Sequence, residues 1–229
     1  SKRRPQKDIE TKRVEMDEFE IVSGVFNGYT TGAPLTILIK NNNVISKDYK
    51  ELKSVMRPSH ADYTAYVKYQ GYNDYRGGGH FSGRITAALV ASASILIKAL
   101  QDKGIYIGTH IKKCGNVLDK DFSLDALEVK DLINKDFPTI NNIEEDIKNV
   151  IKNAKENNDS VGGILQTAIV GLPSGVGNEW FSSVEGKLAN ACFSIGGVKG
   201  IEFGLGFYFS NKLGSTANDE FYVENGCVK

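Results

Sequence analysis

The chain of 229 residues carries 28 Lys and Arg against 28 Asp and Glu, and 41% of it is hydrophobic. Such a composition is ordinary for a soluble globular protein with a proper core, and zero net charge gives no general attraction to nucleic acid. The longest apolar run, residues 87–99, is broken by Ser92 and Ser94 and contains Lys98, so it does not predict a membrane span. We therefore expect neither a nucleic acid nor a membrane as partner.

The ends of the chain and its cysteines indicate the cellular compartment in which the protein is expected. The first residues are basic, without a methionine and without an apolar stretch behind them, which is not the pattern of a secretory signal. The three cysteines, Cys114, Cys192 and Cys227, are far apart and form no C-x-x-C pair. We expect reduced thiols in a cytoplasmic protein, and a chain cut at its N-terminus and at its C-terminus.

The N-terminal part predicts a β-hairpin followed by a short helix. The β-rich residues 19–26 predict a strand, Asn27-Gly28 a turn, and residues 35–40 a second strand, with an extended loop between the strands. Residues 46–56 predict a short helix that ends before Pro58, because the residue before a proline avoids the helical region.

Residues 82–103 carry the strongest helix signal. The segment is alanine-rich with an apolar face, and Ser82 and Gly104 suit the cap and the stop. Further elements are predicted as strands at 104–111, 160–172 and 198–207, helices at 143–155 and 178–194, and an irregular surface region at 118–139. This order, without clean βαβ alternation, predicts an α+β fold with sheets packed on helices.

Cationic and glycine-rich residues gather in two segments. His60 lies in Arg57-Pro-Ser-His-Ala-Asp-Tyr63, and His80 follows three glycines ahead of the strongest helix. Three glycines before a helix bring backbone N–H groups to its electropositive end, which suits a phosphate or another anion. Three arginines could add bidentate contacts: Arg57, Arg76 and Arg84. The alternative is an ordinary turn, which is commoner for any such loop taken alone.

Other sequence features give weaker signals. The glycine cluster at 171–177 could be another anion site, and the one at 194–200 favours a tight turn over close approach to a flat ring. His110 reads as an ordinary strand residue. No metal site is expected, since no His or Cys pair has ligand spacing, and hydrolase, P-loop and zincin motifs are absent from the sequence. The residues alone thus predict one arginine- and glycine-lined site for a phosphorylated anion.

Several linked motifs identify a family. Arg57-Pro-Ser-His-Ala-Asp-Tyr-Thr64 resembles the R-P-G-H-A-D-Y-T signature of the chorismate synthases. Tyr75-Arg-Gly-Gly-Gly79, followed by Ser82 and Arg84, resembles their Y-R-G-G-G-R-S-S-A-R signature. Other segments, including an early R-R-P and a late S-I-x-x-V-K-G, follow in the family's order along essentially the whole chain. The resemblance implies one chorismate synthase domain over residues 1–229, with a β-α-β sandwich of antiparallel sheets packed on helices.

The resemblance also implies a reaction. Chorismate synthases convert 5-enolpyruvylshikimate 3-phosphate to chorismate and phosphate by a 1,4-elimination that requires reduced FMN without consuming it. Members of the family are homotetramers that serve aromatic amino acid biosynthesis in the cytoplasm. Some reduce their own flavin with NADPH and others rely on an outside supply, so the source of reducing power stays open.

Site residues follow from the matching positions. His60 matches a catalytic histidine that protonates or hydrogen-bonds the reduced flavin, and the resemblance assigns substrate binding to Arg3, Arg4, Arg57 and Arg84. It assigns flavin contacts to His80, Phe81, Ser82, Gly196 and Gly197. The sequence departs from the family at two of these places, because Arg-Ser is common where His80-Phe81 stands and Asn-Ala where Gly196-Gly197 stands.

Two catalytic motifs of the family do not occur in the 229 residues. G-E-S-H-G carries the first catalytic histidine and R-H-D-P the catalytic aspartate, so we expect negligible turnover from this polypeptide alone. One open alternative is a non-catalytic remnant that binds flavin or another anion. A second, less favoured, is a nucleic-acid-binding domain that uses the basic N-terminus and the aromatic residues of 63–75.

Overall fold

A computed structural model describes residues 9–10, 17–41, 55–123 and 125–228 of the chain. The chain divides after Gly175 into two compact units, which are considered separately below. The single domain over residues 1–229 stays a prediction. The helix predicted at 46–56 lies outside the described residues except for Val55 and Met56, which are not helical.

The first unit opens with two nested antiparallel strand pairs. The outer pair joins β1 (Phe19–Ser23) to β4 (Thr36–Ile39), and the inner pair joins β2 (Val25–Phe26) to β3 (Tyr29–Thr30). Between the inner strands, Asn27 and Gly28 have φ angles of 48° and 81°. Two successive left-handed residues match the twist of a two-residue hairpin, so the predicted hairpin is confirmed.

A three-stranded antiparallel sheet forms the centre of this unit. Its strands are β5 (Tyr106–Cys114), β6 (Val117–Leu118) and β7 (Gly163–Val170), in the order β6-β5-β7. The pairing of β5 with β7 runs from Tyr106 opposite Val170 to Cys114 opposite Gly163, with one irregularity after Ile111. Both strands predicted here, at 104–111 and 160–172, are confirmed.

Two helices pack beside this sheet. α4 (Glu144–Glu156) confirms the predicted polar helix, with Ile147 fully buried. The irregular region predicted at 118–139 is wrong, since it contains α3 (Ala126–Asn134). Asp125 caps α3 by accepting the Leu127 N–H at 2.8 Å, and the buried Val129 and Leu132 share one face. Both the cap and the apolar spacing are visible in the sequence.

Within residues 55–105, the described part of the connection from the hairpin to the central sheet is largely helical. It comprises α1 (Asp62–Lys68), two 3₁₀ turns (Arg76–Phe81 and Gly83–Ile85) and α2 (Thr86–Gln101). The helix predicted at 82–103 is confirmed, although its first turn is 3₁₀. Ser82 caps that turn by accepting the Arg84 N–H, and Gly104, with a φ of 80°, follows the end of α2.

The stretch from Gly83 to Gln101 is long and apolar enough to cross a membrane, by length and composition only. Its apolar side chains are partly or fully exposed within the described part of the chain. One such helix is weak evidence for a membrane span, because core helices of soluble proteins pass the same test.

The second unit is built from short elements. α5 (Val184–Phe193) confirms only the later part of the helix predicted at 178–194, and Ser183 caps it by accepting the Gly186 N–H at 3.0 Å. A terminal hairpin pairs β8 (Val223–Glu224) with β9 (Cys227–Val228). The strand predicted at 198–207 is wrong, because these residues pair with no described strand and end in a 3₁₀ turn from Gly206.

The predicted fold class is confirmed, because helices accompany strand pairs that are antiparallel throughout the described residues.

Close packing of α3 on β5 depends on Gly108. A Cβ at this position would lie 2.7 Å from the Val129 carbonyl oxygen and 2.8 Å from its Cγ1. We expect Gly108→Ala to lower the free energy of unfolding by about 1–3 kcal/mol through overpacking, as measured by urea denaturation. Gly162→Ala is the matched control, because nothing lies within 4 Å of the place that its methyl group would take. Equal effects of the two substitutions would contradict the close approach.

Candidate active site

Arg57, His60 and Asp62 form a cluster where the chain enters α1. Asp62 Oδ2 accepts from Arg57 Nε at 2.8 Å and from the Arg57 backbone N–H at 3.1 Å, and its Oδ1 accepts from Arg57 Nη2 at 2.9 Å. Bidentate pairing of this kind fixes the plane of a guanidinium more firmly than a single contact does. The short loop at 57–61 turns sharply at Ser59, whose φ is 58°.

His60 contacts both partners in this cluster. Its Nδ1 lies 2.6 Å from Asp62 Oδ1, while Arg57 Nη2 lies 3.2 Å from Nδ1 and 3.3 Å from Nε2. The side chains of Arg57 and His60 are 38% and 28% exposed, and that of Asp62 is 13% exposed. The Asp62 carboxylate is therefore largely buried, whereas a ligand can reach the side chains of Arg57 and His60.

The charge of Asp62 is secured by its neighbours. The Arg57 side-chain hydrogen bonds hold the pKa of Asp62 well below its ordinary value, despite the opposing effect of burial, and His60 adds to the lowering. Asp62 thus stays ionised at neutral pH. The resemblance assigned a role to Arg57 and to His60 but none to Asp62, whose place in the same motif was the available signal.

The three glycines at 77–79 do not form an open loop at the start of α2. They lie within the 3₁₀ turn Arg76–Phe81, and a second turn, Gly83–Ile85, separates them from α2. Arg76 donates from Nε and Nη2 to Asp74, both at 2.8 Å, and lowers the Asp74 pKa to about 2. The Arg76 guanidinium is therefore engaged by a neighbouring carboxylate rather than turned toward a glycine nest.

Arg84 links this segment to the N-terminal hairpin. Its Nη2 donates to Asn41 Oδ1 at 2.8 Å, two residues beyond the end of β4. His80 and Phe81 are exposed, with 44% of Phe81 accessible. An exposed aromatic ring of this kind is able to stack on a flat ligand. Arg3 and Arg4 lie outside the described residues.

Gly196 and Gly197 belong to the second unit, where they follow α5. The Val198 N–H donates to the Ile195 carbonyl at 3.3 Å across the pair, which confirms the tight turn favoured by the sequence. Nothing lies within 4 Å of a Cβ built on either glycine, and Gly197 has a φ of 94°. The backbone is thus open on that side, which fits the approach of a flat ring as well as a turn.

Comparison with known proteins decides the family. The profile of a family described as "Chorismate synthase" matches residues 1–228. The chain belongs to the chorismate synthase family. Curated relatives with this name include those of Thermococcus gammatolerans, 44% identical over 95% of the chain, and Korarchaeum cryptofilum, 39% identical over 99% of it.

A solved structure and the lengths of the relatives complete the comparison. A protein described as "Crystal Structure of Chorismate Synthase" is 29% identical, with a TM-score of 0.73, and its match covers 92% of this chain and 62% of that one. The match covers 60% of the Thermococcus gammatolerans chorismate synthase and 63% of the one from Korarchaeum cryptofilum. The chain therefore spans roughly three fifths of the length of these relatives.

Proposed function

We propose that the cluster of Arg57, His60 and Asp62 is part of the active site of a chorismate synthase. The reaction would be the 1,4-elimination of phosphate from 5-enolpyruvylshikimate 3-phosphate to give chorismate. One observation carries this proposal: the segment that matches the R-P-G-H-A-D-Y-T signature holds a guanidinium and an imidazole together on one carboxylate. The guanidinium suits the binding of a phosphate ester, and the imidazole suits proton transfer.

Each side chain of the site would have a distinct task. Arg57 binds the anionic substrate and stabilises the charge that develops on the departing phosphate. Arg84, Arg3 and Arg4 add cations toward the same substrate. His60 holds or transfers a proton at its imidazole. When bound, reduced FMN would supply the transient electron that the elimination requires.

The proposal extends to cofactor and assembly. His80, Phe81 and Ser82 would contact the flavin, which the exposed Phe81 ring supports. Gly196 and Gly197 are proposed separately as flavin contacts, which their open backbone supports. NADPH is a candidate reductant. The complete enzyme would be a cytoplasmic homotetramer without a nucleic-acid or membrane partner.

The first test is an anaerobic titration of the 229-residue polypeptide with FMN and 5-enolpyruvylshikimate 3-phosphate under reducing conditions. Flavin absorbance reports binding, and phosphate release reports turnover. We expect binding with negligible turnover, because neither G-E-S-H-G nor R-H-D-P occurs in this sequence. Chorismate formation would contradict the proposed need for those groups, and failure to bind either ligand would contradict the proposed site. Flavin binding without any substrate binding would favour the non-catalytic remnant.

Arg57→Lys tests the contribution of the guanidinium. Lysine keeps the charge but loses the planar fork that pairs with Asp62 and with a phosphate. We expect binding of 5-enolpyruvylshikimate 3-phosphate to weaken roughly 10- to 100-fold, as measured by isothermal titration calorimetry, since a charged hydrogen bond contributes about 1.5–3 kcal/mol. The control is Lys98→Gln, which removes the cation of an exposed ion pair between Lys98 on α2 and Asp102 just beyond its end. Similar losses in both variants would show a general charge effect.

A further inference from the structure

Asp62 sits between the two residues that the proposed function uses, and it touches both. We propose that Asp62 is a positioning residue that fixes His60 in the tautomer with its proton on Nδ1. The Nε2 atom is then the nitrogen that meets a ligand. This inference rests on the proposed function for its catalytic meaning, but its structural content can be tested without any ligand.

The carboxylate dictates where the imidazole proton sits. An ionised carboxylate can only accept hydrogen bonds, so His60 Nδ1, at 2.6 Å from Asp62 Oδ1, must carry the proton of that contact. In free neutral histidine the proton favours Nε2, so the contact reverses the ordinary preference. Which ring nitrogen is protonated in a folded protein is set by the partner of the other nitrogen.

Asp62 is itself held in a single orientation. Both of its oxygens are occupied by Arg57, through Nε and the backbone N–H on Oδ2 and through Nη2 on Oδ1. Rotation of the carboxylate would break these contacts together. With only 13% of the Asp62 side chain exposed, water competes little for the oxygen that faces His60. The arginine therefore orients the carboxylate, and the carboxylate orients the imidazole.

The tautomer with its proton on Nδ1 places Nε2 of His60, as an acceptor, beside the Arg57 guanidinium. With its proton on Nδ1, His60 presents the lone pair of Nε2, which lies 3.3 Å from Arg57 Nη2. An anionic group bound by Arg57 would then lie close to Nε2. When His60 gains a second proton, Asp62 faces the positive ring and supports it, so Nε2 can donate the proton onward.

Nitrogen-15 NMR of the histidine side chains tests the tautomer directly. The chain has only three histidines, and His60→Gln identifies the His60 signals by their loss. Spectra would be recorded at about pH 9, far above the ordinary histidine pKa of about 6.5. We expect the wild-type His60 to show a protonated Nδ1 and an unprotonated Nε2. A proton on Nε2 in the wild-type protein would overturn the proposal.

Substitutions at Asp62 provide a second test of the proposal. Asp62→Asn and Asp62→Ala are both expected to move the His60 proton toward Nε2. The matched control is Asp74→Asn, which removes the other bidentate Arg–Asp pair of this region and should leave the His60 signals unchanged. If neither Asp62 variant changes the tautomer, Asp62 does not position His60. If the tautomer changes as expected while the polypeptide binds neither FMN nor substrate, the positioning stands and only the proposed function fails.

Discussion

Asp119→Ala is expected to lower the free energy of unfolding by roughly 3–5 kcal/mol, because it removes several hydrogen bonds to one buried carboxylate, each of which contributes about 1.5–3 kcal/mol. Asp119 Oδ2 lies 3.3 Å from His110 Nδ1, and the side chains of both residues are fully buried. The carboxylate also accepts three backbone N–H groups, from Lys120, Ile140 and Asn141. Alanine would remove the buried acceptor that these part-buried hydrogen bonds share.

The control for this substitution lies two residues along the chain. Asp121 pairs with Lys112 at 2.8 Å, but 73% of its side chain is exposed. Asp121→Ala should cost about 1 kcal/mol, because water already reaches most of this carboxylate, although it also accepts from Gln166 Nε2 at 3.1 Å. Urea denaturation of both variants at neutral pH provides the comparison. A loss at Asp119 no larger than the loss at Asp121 would contradict the structural role of the buried carboxylate.

The Asp119 contribution should also depend on pH. Burial raises the pKa of Asp119, but the N–H groups of Asn141, Ile140 and Lys120, together with His110, outweigh burial and leave the pKa below the ordinary 3.8. A lowered folded-state pKa stabilises the protein above the unfolded-state value and ceases to do so as the pH falls through the folded-state value. The stability difference between the wild type and Asp119→Ala should therefore be constant above about pH 5 and shrink below about pH 4.

Gly171→Ala is expected to lower the free energy of unfolding by about 2–4 kcal/mol, from overpacking and left-handed strain together. Gly171 follows β7 with a φ of 78°, where any side chain is disfavoured. A Cβ there would overlap the Gly104 carbonyl oxygen and lie 3.1 Å from the Gly104 carbonyl carbon. Because the obstacle is backbone at the end of the central sheet, it cannot rotate aside.

Gly28→Ala separates the two causes. Gly28 has a φ of 81°, nearly that of Gly171, but nothing lies within 4 Å of a Cβ at this position. Its substitution should therefore cost only the left-handed strain, roughly 1–2 kcal/mol. The additional loss in the free energy of unfolding at Gly171 measures the close approach of the Gly104 backbone. Thermal or urea unfolding of the two variants gives both losses. An equal cost at the two glycines would show that the approach is not tight.

Locally encoded features of this chain were predictable. The Asn27-Gly28 turn carries its own backbone preference, and the apolar spacing of α4 needs no distant partner to be recognised. α3 has equally local signals in the Asp125 cap and in the spacing of Val129 and Leu132, so this helix could also have been predicted from the sequence. The strand expected at 198–207 failed for the opposite reason: a strand exists only when another strand pairs with it, and its composition alone does not supply that partner.

The candidate site, too, was predictable from the sequence only in part. The motif at 57–64 was enough to nominate Arg57 and His60, because residue type and order within a signature are properties of the sequence. The orientation of Asp62 toward both side chains required the sharp loop at Ser59 and the first turn of α1. Likewise, the glycines at 77–79 suggested an anion nest, but the structure places them inside a 3₁₀ turn.

By itself, the sequence determined the family of this protein, its α+β class, most of its helices and strands, and the residue types of its proposed site. Only the tertiary structure decided that His110, which read as an ordinary strand residue, is buried against Asp119 and against Gln166, a residue 56 positions away. It also decided that Gly171 packs on the backbone of Gly104. Local patterns report the preferences of neighbouring residues, whereas contacts between distant segments exist only once the sheet and its helices have packed together.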